Sequence, residues 1–220
     1  TRVGPCINKP GKFIAIGLNY SDHAKETGAK VPTEPIVFMK ATSCINGPND
    51  DIELAPSSKK LDWEVELGIV IGKETKKISA KEASNFIFGY CLVNDLSERD
   101  WQIEKLGQWT KGKSHDTFGP IGPYIVTVDE IKDIKNLNLS LDINGKRMQT
   151  GNTKNMIFDV YNIVSYLSNY MSLQPGDIIT TGTPPGVGMG KNPQVFLKAG
   201  DRIRLSIDNL GEQNSRVVLV

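Results

Sequence analysis

The segment Leu61-Asp-Trp-Glu-Val-Glu-Leu-Gly-Ile-Val-Ile-Gly72 reads as a buried strand that carries two glutamates. Successive strand side chains point to opposite faces, so Glu64 and Glu66 share one face while Trp63, Val65, Leu67, Ile69 and Ile71 take the other. If both faces are covered, two like charges lie together in a poor solvent, which is costly unless a cation neutralises them. A third carboxylate, Asp95, closes the next apolar run, Phe86–Asp95. Three carboxylates at strand positions make a candidate cage for a hard divalent ion. The same alternation is what any half-solvated strand shows, and Glu-x-Glu on a wet face needs no metal. Other charges are sparse near Glu66 and Asp95 within their strands, and further polar clusters fit the same chemistry. The chain is therefore read as a metal enzyme.

A chain of 220 residues can bury a substantial core, and no Gly/Ser/Pro linker divides it, so one domain over residues 1–220 is expected. Apolar residues make up 39% and charged residues 23%, which excludes a disordered chain. The net charge is +1 with both signs mixed, so nothing argues for nucleic acid or anionic lipid as a partner. The longest apolar runs are strand-sized, too short to span a membrane. Three widely separated cysteines, Cys6, Cys44 and Cys91, lack metal-ligand spacing and favour a reducing, cytoplasmic setting. The chain starts at Thr1 with no targeting signal, which leaves open processing or truncation and a short N-terminal segment lost by it. Had that segment been a transit peptide, the setting would be the mitochondrial matrix.

Strand patterns cover 12–19, 35–40, 51–54, 63–71, 86–94, 124–128, 137–143, 177–181, 202–207 and 216–220. Asn144-Gly145 supplies a type I′ hairpin turn, and Asp208–Gly211 a second reversal. A weak echo relates Leu173-Gln-Pro-Gly-Asp-Ile178 to Leu197-Lys-Ala-Gly-Asp-Arg202, two turns that each feed a strand. Helix signals are fewer: Ser21–Thr27 stopped by Gly28, a capping box at Ser79–Glu82, Ser97–Leu106, and an apolar stripe over Asp159–Tyr170. The fold class is α+β and β-rich.

His23 and Glu26, three apart on a short helix, can hydrogen-bond, and a carboxylate there would orient the imidazole as a general base. An incidental surface pair has the same spacing. His115 reads as a surface histidine. Lys113, in a polar loop over Lys111–Pro120, reads as solvated charge or as an oxyanion stabiliser beside a metal, and by itself favours the former. Arg99 and Gln102 share a helix face beyond Asp95, where they would hold a substrate carboxylate or lie on an ordinary polar surface. The Gly/Pro-rich run Thr181–Gly190 fails as a phosphate loop: position 185 is Pro, and Asn192 stands where Ser or Thr is required. A rigid turn that sets Gly182 and Thr183 against a small ligand fits better. Tyr20, Met39, Met189 and Phe196 are candidates for a mixed apolar pocket wall.

Taken in order, Gly17-Leu-Asn-Tyr-Ser-Asp-His23 with Glu26, Phe38-Met-Lys40, Asp62–Gly68, Asn94–Gln102, Gly112-Lys-Ser114 and Thr181–Gly188 resemble the fumarylacetoacetate hydrolase family. The resemblance is strongest to the smaller members, acylpyruvate hydrolases and 2-hydroxyhepta-2,4-diene-1,7-dioate isomerase-like proteins. The founding C–C hydrolases have a further carboxylate before their catalytic histidine, and Ala15–Tyr20 offers none. The resemblance implies a twisted mixed β-roll or barrel-like sheet, a homodimer, and Mg²⁺ or Mn²⁺ held by Glu64, Glu66 and Asp95. It maps catalysis onto His23, Glu26 and Lys113, and substrate binding onto Arg99, Gln102 and Thr183. The implied activity is cleavage of a C–C bond in acylpyruvate-like 2-oxo acids through a metal-stabilised enolate, with His23 and Glu26 activating water. The same site would serve oxaloacetate decarboxylation, or isomerase and lyase reactions on 2-oxo or 2-hydroxy diacids. The alternative of another class is a binding module with a structural metal.

Overall fold

The structure is a computed structural model that describes residues 1–220, the side chain of Thr27 apart. Its strands are β1 (Phe13–Gly17), β2 (Ile36–Lys40), β3 (Ile45–Asn46), β4 (Ile52–Leu54), β5 (Leu61–Asp62), β6 (Val65–Ile71), β7 (Ile87–Asn94) and β8 (Ser97–Glu98). They continue with β9 (Gly119–Pro120), β10 (Val126–Thr127), β11 (Asn138–Ile143), β12 (Lys146–Asn152), β13 (Ile178–Thr180), β14 (Arg202–Ile207) and β15 (Gly211–Leu219). Three α-helices accompany them, α1 (Ser21–Thr27), α2 (Trp109–Lys113) and α3 (Val160–Tyr170). With 34% strand and 20% helix the β-rich α+β expectation holds, but the mixed sheets do not close into a barrel.

A six-stranded sheet runs β10-β7-β6-β13-β1-β2, and a five-stranded sheet runs β12-β11-β14-β15-β4. The parallel pairing of β1 with β13 joins Ile14 to Ile179 and Ala15 to Thr180, bringing segments far apart in the chain to the sheet centre. Strand β6 lies between β7 and β13, and all seven of its residues are buried. A central strand covered on both faces has no wet side, so the solvated reading of Glu-x-Glu fails at Glu66, which is 1% exposed.

Helix α1 ends at Gly28 as its sequence predicts, with φ of 66° at that residue. Asp159 caps α3 by accepting from the amides of Tyr161 and Asn162, and Val160, Ile163, Val164 and Leu167 form its buried stripe. The Asn144-Gly145 turn has positive φ at both residues and joins β11 to β12. The two echoing turns are built alike. Gly176 and Gly200 take positive φ. Asp177 accepts from the Gln174 amide and Asp201 from the Lys198 amide, both at 2.8 Å.

Other expectations are corrected. The Ser79–Glu82 hydrogen bonds form, with the Ser79 amide at 3.0 Å and its hydroxyl at 2.6 Å, but they open only a 3₁₀ turn at Ala83–Asn85. Ser97–Leu106 is not one helix: Ser97 and Glu98 pair with β5, and a single π-helical turn follows at Asp100–Glu104. Lys111–Lys113, expected as the start of a loop, are instead the last residues of helix α2. Strand β12 is absent from the sequence reading, and β15 starts five residues before the expected Arg216. Both missed stretches are rich in polar residues, and tertiary pairing to β11 and β14 overrides their weak propensity.

Candidate active site

Eight of the nine site residues named from the sequence line a single cavity of about 260 Å³, and the ninth, Glu26, binds one of them, His23. Glu64 sits just before β6, its amide held by Asn94 Oδ1 at 3.2 Å and its carbonyl accepting from the Asp95 amide at 2.9 Å. These bonds fix the spacing between Glu64 and Asp95. Glu66 projects from the second position of β6. Each of Glu64, Glu66 and Asp95 is buried and offers an oxygen within 4.8 Å of the other two.

Three buried cations compensate these acids. Arg99 donates from Nε to Asp62 at 2.9 Å, from Nη2 to Glu64 Oε1 at 2.6 Å, and from Nη1 to Gln102 at 2.9 Å. Lys113 Nζ bridges Glu64 Oε2 at 2.7 Å and Asp95 Oδ2 at 2.6 Å. It is 2% exposed, so the reading of Lys113 as solvated charge is wrong. It ends α2, which folds it inward to the carboxylates. Lys40 Nζ donates to Asp95 Oδ1 at 2.6 Å and to the Lys113 carbonyl, tying the end of β2 to α2.

The two glutamates are pushed apart electrostatically. Burial alone would raise the Glu64 carboxyl, but Lys113 and Arg99 outweigh it and hold it down at about 2. Burial, followed by Asp95 and Glu64, pushes Glu66 well above the ordinary carboxylate range. Glu66 Oε2 accepts from the Thr180 hydroxyl and, at 2.7 Å, from the Gly182 amide. These bonds aim one oxygen at the loop, and Oε1 accepts no hydrogen bond among the described residues.

An oxygen-only donor set of three carboxylates suits a hard divalent ion. The charges agree once Glu66 gives up its proton: among the described residues, Asp62, Glu64, Glu66 and Asp95 then set four negative charges against the three cations Lys40, Arg99 and Lys113 in one network. Beside it, Tyr20 Oη and Asn94 Nδ2 are buried without a hydrogen-bond partner among the described residues. The residues fit such an ion.

His23 Nδ1 lies 2.9 Å from Glu26 Oε2, and the histidine is 7% exposed. The imidazole is therefore no surface group, and Glu26, whose side chain is 20% exposed, meets it from the solvent side. Both Glu26 oxygens also accept from the Gly186 amide, at 2.9 and 3.1 Å, which locks α1 onto the Thr181–Gly190 loop. Thr183 is braced in turn: its hydroxyl donates to the Val65 carbonyl at 3.0 Å and accepts from Gln149 Nε2 at 2.8 Å. His115 is half-buried, with its ring 5.0 Å from Phe118 and 5.6 Å from Trp101, outside the cavity.

Of the expected pocket-wall residues, only Met189 lines the cavity. Strand alternation turns Ile36 and Phe38 inward and Met39 away. Tyr20 is buried behind the wall and Phe196 lies elsewhere. The sequence reading missed Lys40, Asp62, Gln149 and Thr180. Asp62 has the same strand parity as Glu64 and Glu66, a signal that could have found it. Gln149 carried no signal, because β12 itself was not legible.

Residues 12–218 match the model of the fumarylacetoacetate (FAA) hydrolase C-terminal family, and the chain belongs to that family of hydrolases and isomerases. It is 60% identical over 213 residues to a Burkholderia ambifaria protein with the provisional name of hydrolase, covering 96% of this chain and 76% of the relative. Among solved structures it resembles the fumarylacetoacetate hydrolase of Exiguobacterium antarcticum, with 40% identity and a TM-score of 0.89 over 96% of this chain and 76% of that one. It also resembles the 5-carboxymethyl-2-hydroxymuconate delta-isomerase of Mycobacterium smegmatis, with 38% identity and a TM-score of 0.88 over 100% and 82%. No helix is long and apolar enough to cross a membrane.

Proposed function

We propose that this chain is a hydrolase that uses Mg²⁺ or Mn²⁺ to cleave the C–C bond of acylpyruvate-like 2-oxo acids. The observation that carries the reading is the meeting of the His23–Glu26 pair with three buried carboxylates on one cavity. Hydrolysis needs a base for water, whereas decarboxylation of oxaloacetate adds no water at the bond-breaking step. A structural metal would need neither His23 nor Glu26.

Glu64, Glu66 and Asp95 would hold the ion, which when bound supplies Lewis-acid polarisation of the substrate's 2-oxo group. Gln102, Arg99 and Thr183 would position the substrate carboxylate in the cavity. Glu26 accepting at Nδ1 fixes the proton there and leaves the lone pair on Nε2. Nε2 then takes a proton from water as its oxygen attacks the distal carbonyl. The C–C bond breaks, the acyl group leaves as a carboxylic acid, and the pyruvate fragment accepts a proton. Lys113, kept protonated because Asp95 and Glu64 outweigh its burial, faces the developing oxyanion. Removing such a donor costs about 3 kcal/mol of barrier.

The test is pyruvate release from acetylpyruvate and from oxaloacetate by the metal-stripped chain, with and without added Mg²⁺ or Mn²⁺. Metal-restored cleavage that favours acetylpyruvate is expected, and His23→Ala should lower its kcat roughly 10²–10⁴-fold. Metal-independent turnover, or a His23→Ala variant as active as the parent, would contradict the mechanism.

A further inference from the structure

The far wall of the cavity bears on the substrate's tail, and the inference drawn from it rests on the acylpyruvate reading above. The apolar part of the lining includes Leu18, Ile36, Phe38, Ile103, Trp109 and Met189. Trp109 is seated between two fixed neighbours. Its ring meets Phe38 edge-on, with centroids 5.2 Å apart at 67°, and a Cβ at Gly17 would come 2.6 Å from its Cζ3. The missing side chain at Gly17 is thus a condition for this wall. The rim is apolar as well, since Ile36 and Ile103 are 36% and 46% exposed.

The cations lining the cavity are Arg99 and Lys113, and both are held at its carboxylate end, away from this wall. Arg99 serves Asp62, Glu64 and Gln102, and Lys113 serves Glu64 and Asp95. Lys105, close in sequence to Ile103, pairs with Asp100 at 3.3 Å. A second carboxylate on the substrate would leave water to face indole and aliphatic groups with no counter-charge, an unfavourable transfer.

We infer that this enzyme takes acylpyruvates with an apolar alkyl or aryl tail, not ones ending in a distal carboxylate, and that Trp109 and Ile36 set the choice. A structural neighbour is named for a carboxymethyl-hydroxymuconate, a substrate with additional carboxylates.

The experiment compares kcat/KM of the Mg²⁺-loaded full chain for acetyl-, butanoyl-, hexanoyl-, 4-methylpentanoyl- and succinylpyruvate. The last two are nearly isosteric and differ by a carboxylate. The expected result is a rise of about fourfold per added methylene until the wall is filled. A preference of at least tenfold for 4-methylpentanoyl- over succinylpyruvate is also expected. Trp109→Ala should flatten the chain-length series, and Ile36→Lys should shift the ratio toward succinylpyruvate. Cleavage of acetylpyruvate with no chain-length trend, or with succinylpyruvate equal or better, overturns the inference while leaving the hydrolase reading intact. Silence on the whole series overturns both.

Discussion

Asp95 is compensated by two lysines that enter from different elements, Lys40 from β2 and Lys113 from α2. Lys40 is 1% exposed and has no water to fall back on, so its ammonium and the Asp95 carboxylate depend on each other. Removing one partner of a buried pair typically costs roughly 3–5 kcal/mol. Lys40→Met keeps an unbranched side chain one atom shorter and deletes the charge together with its hydrogen bonds to Asp95 and the Lys113 carbonyl. It should lower Tm by roughly 6–20 °C. Saturating Mg²⁺ should recover part of the loss, because a divalent ion beside Asp95 replaces the missing charge. Thermal unfolding with EDTA and with Mg²⁺ checks this, and a Tm within about 2 °C of the parent would mean that Lys40 contributes no net compensation.

Between elements, the Thr181–Gly190 loop is the joint of the site. Gln149, wholly buried on β12, accepts from the Val65 amide at 3.0 Å and donates to Thr183 Oγ1 and the Pro184 carbonyl, both at 2.8 Å. One side chain of the five-stranded sheet thereby sets where the loop meets β6. Gln149→Ala strips three buried groups of a partner, at about 1–3 kcal/mol for each left unpaired. The variant should lose stability and show a raised KM for acetylpyruvate through a displaced Thr183, with Mn²⁺ affinity retained because Glu64, Glu66 and Asp95 keep their own bonds. Unchanged KM would remove Gln149 from the positioning of substrate.

This joint also shows what the sequence can and cannot reveal. The strand over Val65–Ile71, the α1 stop at Gly28, the Asn144-Gly145 turn and the α3 stripe follow local rules of period and backbone conformation. The carboxylate cage was legible because its members lie on strongly patterned strands. The burial of Lys113 and the role of Gln149 depend on which segments meet across long stretches of chain, and no local pattern encodes that. Lys113 looked solvated because its neighbours Lys111, Ser114 and His115 are polar, yet α2 turns it alone toward the acids.

At the scale of the whole molecule, the carboxylate network couples stability, pH and metal. Glu66, raised above the ordinary 4.5, keeps a proton in the folded chain that the unfolded chain releases. Between those two values the folded state binds more protons, so metal-free stability falls as pH rises from about 4.5 through the folded pKa of Glu66. Glu64, lowered to about 2, acts in the opposite direction: its contribution is present above 4.5 and is lost as pH falls toward about 2. A bound cation displaces the Glu66 proton, so saturating Mg²⁺ should abolish the loss on the alkaline side, and apparent metal affinity should rise with pH. Melting curves from pH 4 to 9 with EDTA and with Mg²⁺ check both statements, and parallel curves would contradict them.

Glu64, Glu66 and Asp95 are proposed to hold one divalent ion together. The most direct test is titration of the metal-stripped chain with Mn²⁺, following the free ion by electron paramagnetic resonance, for the parent and for Glu66→Gln. One Mn²⁺ bound per chain, weakened at least tenfold in the variant, is the predicted result. Equal stoichiometry and affinity in the two proteins would place the ion elsewhere.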